Sequence, residues 1–228
     1  MTFSIVARCA ESGMFGVAVT SSSPAVAARC AFARAGVGAV ASQNITDPTL
    51  GPRGLDLMAA GASAPEAVET LRRSSLHIAF RQLLAVDAEG RSAAFSGSET
   101  LGTWALAEDR DVACAGNLLA NDGVPQAMVA AFKASSGHPG GHLGDRLTAV
   151  LAAGLAAGGE AGPLHSAGLL LVREVAWPVA DLRVDWCDDD PVAALSALWQ
   201  RYKPELEAYV QRALDPSAAP SYGVPGDP

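Results

Sequence analysis

Thr2 is the residue of this chain best suited to chemistry by itself. It follows Met1 directly, and a strand-like run, TFSIVAR, begins with it, so we expect no leader segment ahead of the fold. If Met1 is removed, Thr2 carries a hydroxyl and a free α-amine, which is a nucleophile with its own base and an arrangement used in amide cleavage. An α-amine has a pKa of about 7.7–8.0 and can accept a proton near neutral pH. Thr2 alone also fits an ordinary strand start, because β-branched residues favour strands.

Metal chemistry has two candidate positions. His138 and His142 are four residues apart, but Pro139 and two glycines between them indicate a loop, so the helical geometry of a zinc protease is absent. The acidic run at 188–190 could bind a hard cation, although capping of the following helix is the better interpretation. We therefore expect no metal and no other cofactor.

The cysteines offer a third kind of chemistry. They are widely scattered and form no Cys-x-x-Cys pair, which disfavours a zinc ribbon or a thioredoxin motif; they are Cys9, Cys30, Cys114 and Cys187. No histidine stands at an interpretable spacing from any of them, so buried thiols in a reducing compartment are the preferred interpretation. The serine run at 21–23 lacks the glycine elbow of a hydrolase nucleophile.

Composition limits the classes of function. Half of the 228 residues are hydrophobic, 18% are charged and the net charge is −8, which favours a globular chain without a nucleic-acid-binding surface or an affinity for anionic membranes. The N-terminus lacks the pattern of a secretory signal, and the longest Ala/Leu-rich stretch, 147–157, is too short to span a bilayer. We expect a cytoplasmic protein.

The periodicity of apolar residues predicts strands, helices, strands, helices, strands and a last helix. Strands are expected at residues 2–9, 14–19, 37–42, 78–86, 92–95, 112–115, 166–172 and 180–184. Helices are expected near residues 52–58, 63–71, 125–134, 142–157 and from 191 onward, with Pro204 kinking or restarting the last one. Several strands are apolar on both faces, which suits an α+β fold built as a four-layer αββα sandwich.

The domain organisation is predicted to be simple. No internal repeat and no interior linker is visible, so residues 1–214 are expected to form a single domain. Residues 215–228 are rich in Pro, Ser, Ala and Gly and are expected to form a flexible, solvated tail.

Seven segments resemble one uncharacterised bacterial family, domain of unknown function (DUF) 1028. They are TFSIVAR at 2–8, GVAVTS at 16–21, AGVGAVASQ at 35–43, GPRGL at 51–55, GNLL at 116–119, SAGLLLV at 166–172 and DLRVD at 181–185. The resemblance covers residues 2 to about 203 and implies the Ntn-hydrolase superfamily with its αββα sandwich. It also implies Thr2 as nucleophile, since the opening hairpin looks like that of proteasome β-type subunits.

The chain departs from that pattern in three places. No lysine precedes Lys133, although proteasome-type sites use one soon after the nucleophile; Arg29 or Arg34 could supply charge, but a guanidinium does not replace an ammonium. Thr20 stands where the pattern has aspartate at the end of the second strand. Residues 159–165 also differ, so the resemblance assigns no binding residue there.

The candidate site is built around Thr2. Asn117 is the first choice to donate a hydrogen bond to an oxyanion, with Gln43 and Asn44 next, and Ser21 could orient the amine. A turn at Asn117 and a loop pair at 43–44 are the structural alternatives. Arg53 could bind a substrate carboxylate or lie solvated at a helix start.

Two functions follow from these residues. The first is an N-terminal-nucleophile hydrolase that cleaves an amide in a small or peptide-like substrate. The second is a non-catalytic binding or assembly module on the same fold, which the missing lysine and aspartate favour. In either case we expect a homodimer that buries apolar surface.

Overall fold

The computed structural model of the chain describes residues 1–135 and 141–226. His138, one member of the histidine pair considered as a metal site, lies outside the described residues.

Within residues 1–135 and 141–226, ten strands form two antiparallel sheets. The first sheet has the order β10-β9-β2-β1-β8-β7, and the second has the order β3-β4-β5-β6. The strands are β1 Thr2–Arg8, β2 Phe15–Ser21, β3 Ala31–Arg34, β4 Gly38–Asn44, β5 Arg81–Asp87, β6 Ser92–Ser96, β7 Ala105–Asp109, β8 Val112–Asn117, β9 Ser166–Val172 and β10 Ala180–Val184. Strand β1 is therefore central in the first sheet, between β2 and β8.

Seven α-helices flank the sheets in the described residues. They are α1 Ala27–Cys30, α2 Leu50–Ala59, α3 Ala64–Ser74, α4 Val124–Ala134, α5 Leu143–Ala156, α6 Pro191–Tyr202 and α7 Leu206–Leu214. A 3-10 turn at Lys203–Glu205 separates the last two, which confirms that Pro204 restarts the helix. No helix of the described part is both long enough and apolar enough to cross a bilayer.

Three apolar layers show that the fold is the predicted αββα sandwich. One lies between the first sheet and helices α4 to α7, and includes Phe3, Ile5 and Leu147. A second lies between the two sheets. A third packs α2 and α3 against the outer face of the second sheet. Four layers of secondary structure with three apolar interfaces leave both sheets covered on both faces, which explains their continuous hydrophobic runs.

Two strands, β3 and β7, were not predicted from the sequence. Strand β3 is only four residues long and half-exposed, and the sequence analysis treated its segment as an Ala/Arg-rich connection. It forms because Gly36 and Gly38 adopt positive φ angles of 69° and 158°, which turn the chain back into an antiparallel pair with β4. Strand β7 carries polar residues at its end and is stabilised by pairing with β8, a contact that local periodicity does not reveal.

Local capping signals were more reliable. Ser63 caps α3 in a complete capping box with Glu66, as predicted. The side chain of Asp190 accepts hydrogen bonds from the backbone N–H groups of Val192 and Ala193, both at 2.9 Å, so this end of the acidic run caps α6.

The alternation of β1 decides where its polar residues point. Phe3 and Ile5 face the helices, so Thr2, Ser4 and Val6 face the space between the sheets. The same alternation directs Ser21 of β2 to that space, because Phe15 and Val17 belong to the layer between the sheets. The apolar layer between the sheets therefore ends in a group of polar side chains.

The layer between the sheets should carry a large share of the stability. Leu84 lies fully buried within it, whereas Leu76 is 83% exposed. Replacement of Leu84 by alanine is expected to lower the free energy of unfolding by about 2–5 kcal/mol, because it removes buried methyl groups and leaves a cavity. The matched Leu76→Ala change should stay within about 0.5 kcal/mol. Urea unfolding of both variants measures these free energies. Equal decreases in the two variants would contradict the assignment of Leu84 to the buried layer between the sheets.

Candidate active site

Three polar side chains lie on neighbouring strands of the first sheet, where β1 begins and where β2 and β8 end. Thr2 is paired with Asn117 across the β1–β8 ladder, so both side chains lie on the same face of the sheet. On the other side of β1, the Ser21 hydroxyl lies 3.2 Å from the Thr2 hydroxyl, within hydrogen-bond distance. We call Thr2, Ser21 and Asn117 the candidate site. The structure thus brings together all three residues that the sequence analysis placed in the catalytic group.

Met1 covers this candidate site. Its carbonyl oxygen accepts hydrogen bonds from the hydroxyls of both Thr2 and Ser21. Thr2 is 6% exposed, and Met1 is half-buried above it. While the Met1–Thr2 peptide bond is intact, the nitrogen of Thr2 is an amide and cannot act as a base.

A chain of buried amides supports Asn117 from behind. Ser4 donates to the Gln43 side-chain carbonyl at 2.6 Å, and the Gln43 amide donates to Gln82 Oε1 at 3.0 Å. Asn117 Nδ2 donates to the same Gln82 oxygen at 2.9 Å. We call Ser4, Gln43, Gln82 and Asn117 the amide network. It joins the two sheets directly beneath the candidate site.

Gln82 fixes the network in place. Its own amide nitrogen donates to Ser96 Oγ at 2.7 Å and to the Gly116 carbonyl at 3.0 Å, so the orientation of its amide group is set at both ends. Gln82 is fully buried, and its oxygen takes two donors. Because buried amides are costly unless satisfied, this arrangement holds the Asn117 side chain in one orientation.

The predicted substrate-binding residues occupy three different environments. Gln43 is buried in the amide network, so it acts behind the candidate site. Asn44 lies nearer the surface, where its amide donates to the Phe80 carbonyl at 2.7 Å and its side-chain oxygen accepts from the Leu101 N–H at 3.2 Å. Asn44 thus holds two loops, which fits the loop-pair alternative.

Arg53 does not join the candidate site. It is an exposed residue of α2, on the outer face of the second sheet, and its guanidinium donates to Ser74 Oγ at 3.0 Å and Ser75 Oγ at 3.3 Å. These contacts tie α2 to the end of α3. Of the two alternatives left open for Arg53, this placement fits the solvated helix start, because the side chain is exposed and donates to serines at the end of α3.

Neither arginine proposed to replace the missing lysine points to Thr2. Arg29 donates to the carbonyl of Pro24 at 2.7 Å, and Arg34 forms an exposed ion pair with Asp56 at 2.8 Å. The α-amine of Thr2, once free, would therefore be the base nearest to its own hydroxyl.

Glu160 is the functional candidate that the sequence analysis missed. It forms an isolated antiparallel bridge with Leu119, two residues beyond Asn117, and is only 7% exposed. Among the described residues neither carboxylate oxygen has a hydrogen-bond partner of good geometry. Burial raises the pKa of Glu160 to about 8, while the positive charge at the Met1 amine and the nearby Ser22 groups oppose that rise.

An aromatic pair borders the candidate site. The backbone N–H of His165 donates to the Ser21 carbonyl at 2.9 Å, and its ring stacks on Trp186 with centroids 4.2 Å apart. Trp186 is half-exposed and its indole N–H donates to Asp188 at 2.9 Å. The surface next to Ser21 therefore offers an aromatic face and a carboxylate.

Neither the metal alternative nor a reactive thiol at Cys30 or Cys114 gains support in the part of the chain that the structure describes. There, no group of three or more His, Cys, Asp or Glu side chains is arranged to hold a metal ion. His142 caps α5 by accepting from the Gly144 N–H at 3.0 Å. Cys30 and Cys114 are buried, and burial raises the pKa of both thiols.

Comparisons with known proteins agree with this architecture. The model of a family of unknown function, DUF1028, matches residues 2–195. The crystal structure of a DUF1028 protein from Silicibacter pomeroyi is 32% identical, covers 89% of this chain and 89% of its own, and superposes with a TM-score of 0.80.

More distant solved structures also match. Eukaryotic HslV from Trypanosoma brucei is 12% identical over 77% of this chain and 100% of its own, with a TM-score of 0.44. Anbu (ancestral beta-subunit) from Yersinia bercovieri is 12% identical over 91% of this chain and 97% of its own, with a TM-score of 0.39. No curated protein matches the chain.

The amide network yields a stability test. Gln82→Leu would leave the buried amide groups of Gln43 and Asn117 without their acceptor, and each orphaned group costs about 1–3 kcal/mol. We expect the free energy of unfolding to fall by about 2–5 kcal/mol. Gln126→Leu, at an exposed glutamine of α4, is the matched control and should change it by less than about 0.5 kcal/mol. Denaturant unfolding of both variants measures these changes. An unchanged free energy of unfolding in the Gln82→Leu protein would contradict the role of the network.

Proposed function

The chain belongs to the DUF1028 family, and from the arrangement at its candidate site we propose that it is an N-terminal-nucleophile hydrolase. Its substrate would be an amide bond in a small or peptide-like molecule. The single observation that supports this most strongly is the meeting of Thr2, Ser21 and Asn117 at neighbouring strand ends, with the two hydroxyls 3.2 Å apart.

The proposed reaction begins when cleavage of the Met1–Thr2 bond frees the Thr2 amine. Thr2 Oγ attacks the substrate carbonyl carbon, and its proton passes to the α-amine, directly or through a water molecule. The amide nitrogen then leaves with that proton, which gives an acyl ester on Thr2. Water attacks the ester carbon in the second half, with the same amine as base, and returns the hydroxyl to Thr2.

Asn117 supplies the donor that the tetrahedral intermediate needs. Its Nδ2 uses one N–H on Gln82, and the second N–H is the candidate for the oxyanion. Preorganised donors matter most in a buried setting, because they need no rearrangement as charge develops. The amide network provides that rigidity. Ser21, which now bonds the Met1 carbonyl, would then orient the Thr2 amine.

A binding or assembly module is the second candidate function. It is favoured by the contacts of Arg29 and Arg34, which bond the Pro24 carbonyl and Asp56 rather than supplying charge to Thr2 in place of the missing lysine. A protein that keeps Met1 has no free α-amine beside its nucleophile, and the fold would then serve binding alone.

The remaining expectations accompany this proposal. We expect one domain over residues 1–214, a cytoplasmic protein and a homodimer. The dimer expectation is supported by large apolar side chains that are 39–43% exposed, among them Leu101, Trp104 and Trp177.

Substitutions at the candidate site test the proposal. Thr2→Ala should reduce turnover of a panel of small amides and peptides by about 10³-fold or more, because it removes the nucleophile. Asn117→Ala should reduce it by about 10²–10³-fold through loss of an oxyanion donor. Thr2→Ser keeps a hydroxyl and an amine and should retain activity. Product release by mass spectrometry gives the rates.

The exposed Thr49→Ala change serves as the control and should leave the rate unchanged. Thermal melting of each variant checks that the fold is intact. Equal turnover by the wild type, Thr2→Ala and Asn117→Ala would remove both residues from the mechanism and leave the binding module as the better account.

A further inference from the structure

The protein contacts Met1 at its carbonyl and its side chain, and the Met1 amine lies within electrostatic reach of a buried carboxyl group. The carbonyl is held by the hydroxyls of Thr2 and Ser21. The thioether end of its side chain lies over Gly162, where an added Cβ would come within 2.7 Å of Met1 Cε and 3.3 Å of Met1 Sδ. Its amine lies within electrostatic reach of Glu160. One amino-acid residue is thus recognised by a carbonyl donor pair, a small apolar surface and a carboxylate.

Glu160 is the unusual member of this set. It is more than nine-tenths buried, and among the described residues neither of its oxygens has a hydrogen-bond partner of good geometry. The Ser22 groups and the Met1 amine offset only part of the rise that burial causes in its pKa, so a cation that enters this space would stabilise the charged form of the carboxyl group. A cation within electrostatic reach of it in this structure is the amine of Met1, the residue that must leave if Thr2 is to act.

Removal of Met1 would vacate this space without disturbing what surrounds it. Gly162 follows the bridge between Glu160 and Leu119, and the Ala161 N–H donates to the Leu118 carbonyl at 2.9 Å, so this segment is held by backbone contacts of its own. The chain's amine would move one residue along, from Met1 to Thr2. The carboxyl of Glu160 would then face an empty aminoacyl-sized space beside the nucleophile.

We propose that the space filled by Met1 is the acyl-side subsite of the mature protein, and that it takes amides whose acyl group carries a free α-amine and an unbranched apolar side chain. This inference rests on the proposed hydrolase function and adds a substrate class to it. Glu160 binds the substrate ammonium, and Gly162 leaves room for the side chain. The substrate carbonyl carbon lies beside the Thr2 hydroxyl, near the position of the Met1 carbonyl group.

The geometry suits attack by Thr2. The Met1 carbonyl carbon is bonded to the Thr2 nitrogen at about 1.3 Å, whereas the carbonyl carbon of a separate substrate must lie about 3 Å from that nitrogen. A displacement of this size keeps the substrate carbonyl beside the Thr2 hydroxyl. Attack by Oγ forms the acyl ester, the C–N bond breaks, and the leaving amine takes the proton from the Thr2 ammonium. Water then releases a free amino acid.

The first experiment tests the charge on the substrate. Binding of L-methioninamide and of N-acetyl-L-methioninamide is measured by calorimetry, in Thr2→Ala protein that has lost Met1, so that no turnover interferes. We expect the acetylated compound to bind about 10- to 100-fold more weakly, because its amine cannot pair with Glu160. Glu160→Gln should weaken the binding of L-methioninamide by a similar factor and leave the binding of the acetylated compound unchanged. The exposed Glu99→Gln change is the matched control.

The second experiment tests the side-chain space. Gly162→Ala places a methyl group where the Met1 thioether lies, and no unusual φ angle at this position disfavours alanine. We expect Gly162→Ala to weaken the binding of L-methioninamide about tenfold. Glycinamide has no side chain and should bind with unchanged affinity. Equal effects on both ligands, or none on either, would overturn the assignment of Gly162.

Hydrolysis of the same compounds by protein with Thr2 intact separates this inference from the proposed function. If free and acetylated amides are cleaved equally, the hydrolase stands and the subsite is wrong. If L-methioninamide binds with the Glu160 dependence but is never cleaved, the ligand class stands and the hydrolase is wrong. Absence of both binding and cleavage, or retention of Met1 in all preparations, overturns the subsite.

Discussion

The position of β1 inside the first sheet is the constraint on which the candidate site depends. The ladder to β8 begins at Thr2 and the ladder to β2 begins at Phe3, so the start of the chain is held in the sheet rather than frayed as chain ends usually are. The pleat then directs the Thr2 hydroxyl between the sheets, beside Ser21 and opposite Asn117. A shift of one residue in register would turn it to the helix side, into the apolar layer of Phe3 and Ile5.

Placing polar groups at the end of an apolar layer has a cost that the amide network offsets. Gln43, Gln82 and Asn117 are almost fully buried, and each finds a partner in the others. A fully satisfied network in a low-dielectric setting is rigid, which suits a donor that must be aligned in advance. Glu160 breaks this rule, since its oxygens lack such partners among the described residues. That contrast is the reason why we propose Glu160 as a ligand-binding group.

The sequence revealed those features that are local or that repeat along the chain. Apolar runs predicted both sheets, and the Ser63 capping box predicted α3. Thr2, Ser21 and Asn117 could be chosen because the ends of strands can be recognised in the sequence. All three also lie in segments that resemble the DUF1028 family. Gln82 and Glu160 could not be chosen, since nothing near them in the chain reveals burial or a missing partner. Arg53 could not be assigned, because a short motif at a helix start does not show that α2 lies on the outer face of the second sheet.

The account depends on a free amine at Thr2, and the mass of the intact protein measures that most directly. Protein purified from a bacterial host without an N-terminal fusion is analysed by mass spectrometry, with N-terminal sequencing to locate the change. We predict a mass lower by one methionine residue and a chain that begins at Thr2. A protein that keeps Met1 in full would contradict the enzymatic account, because the nitrogen beside the nucleophile would then be an amide.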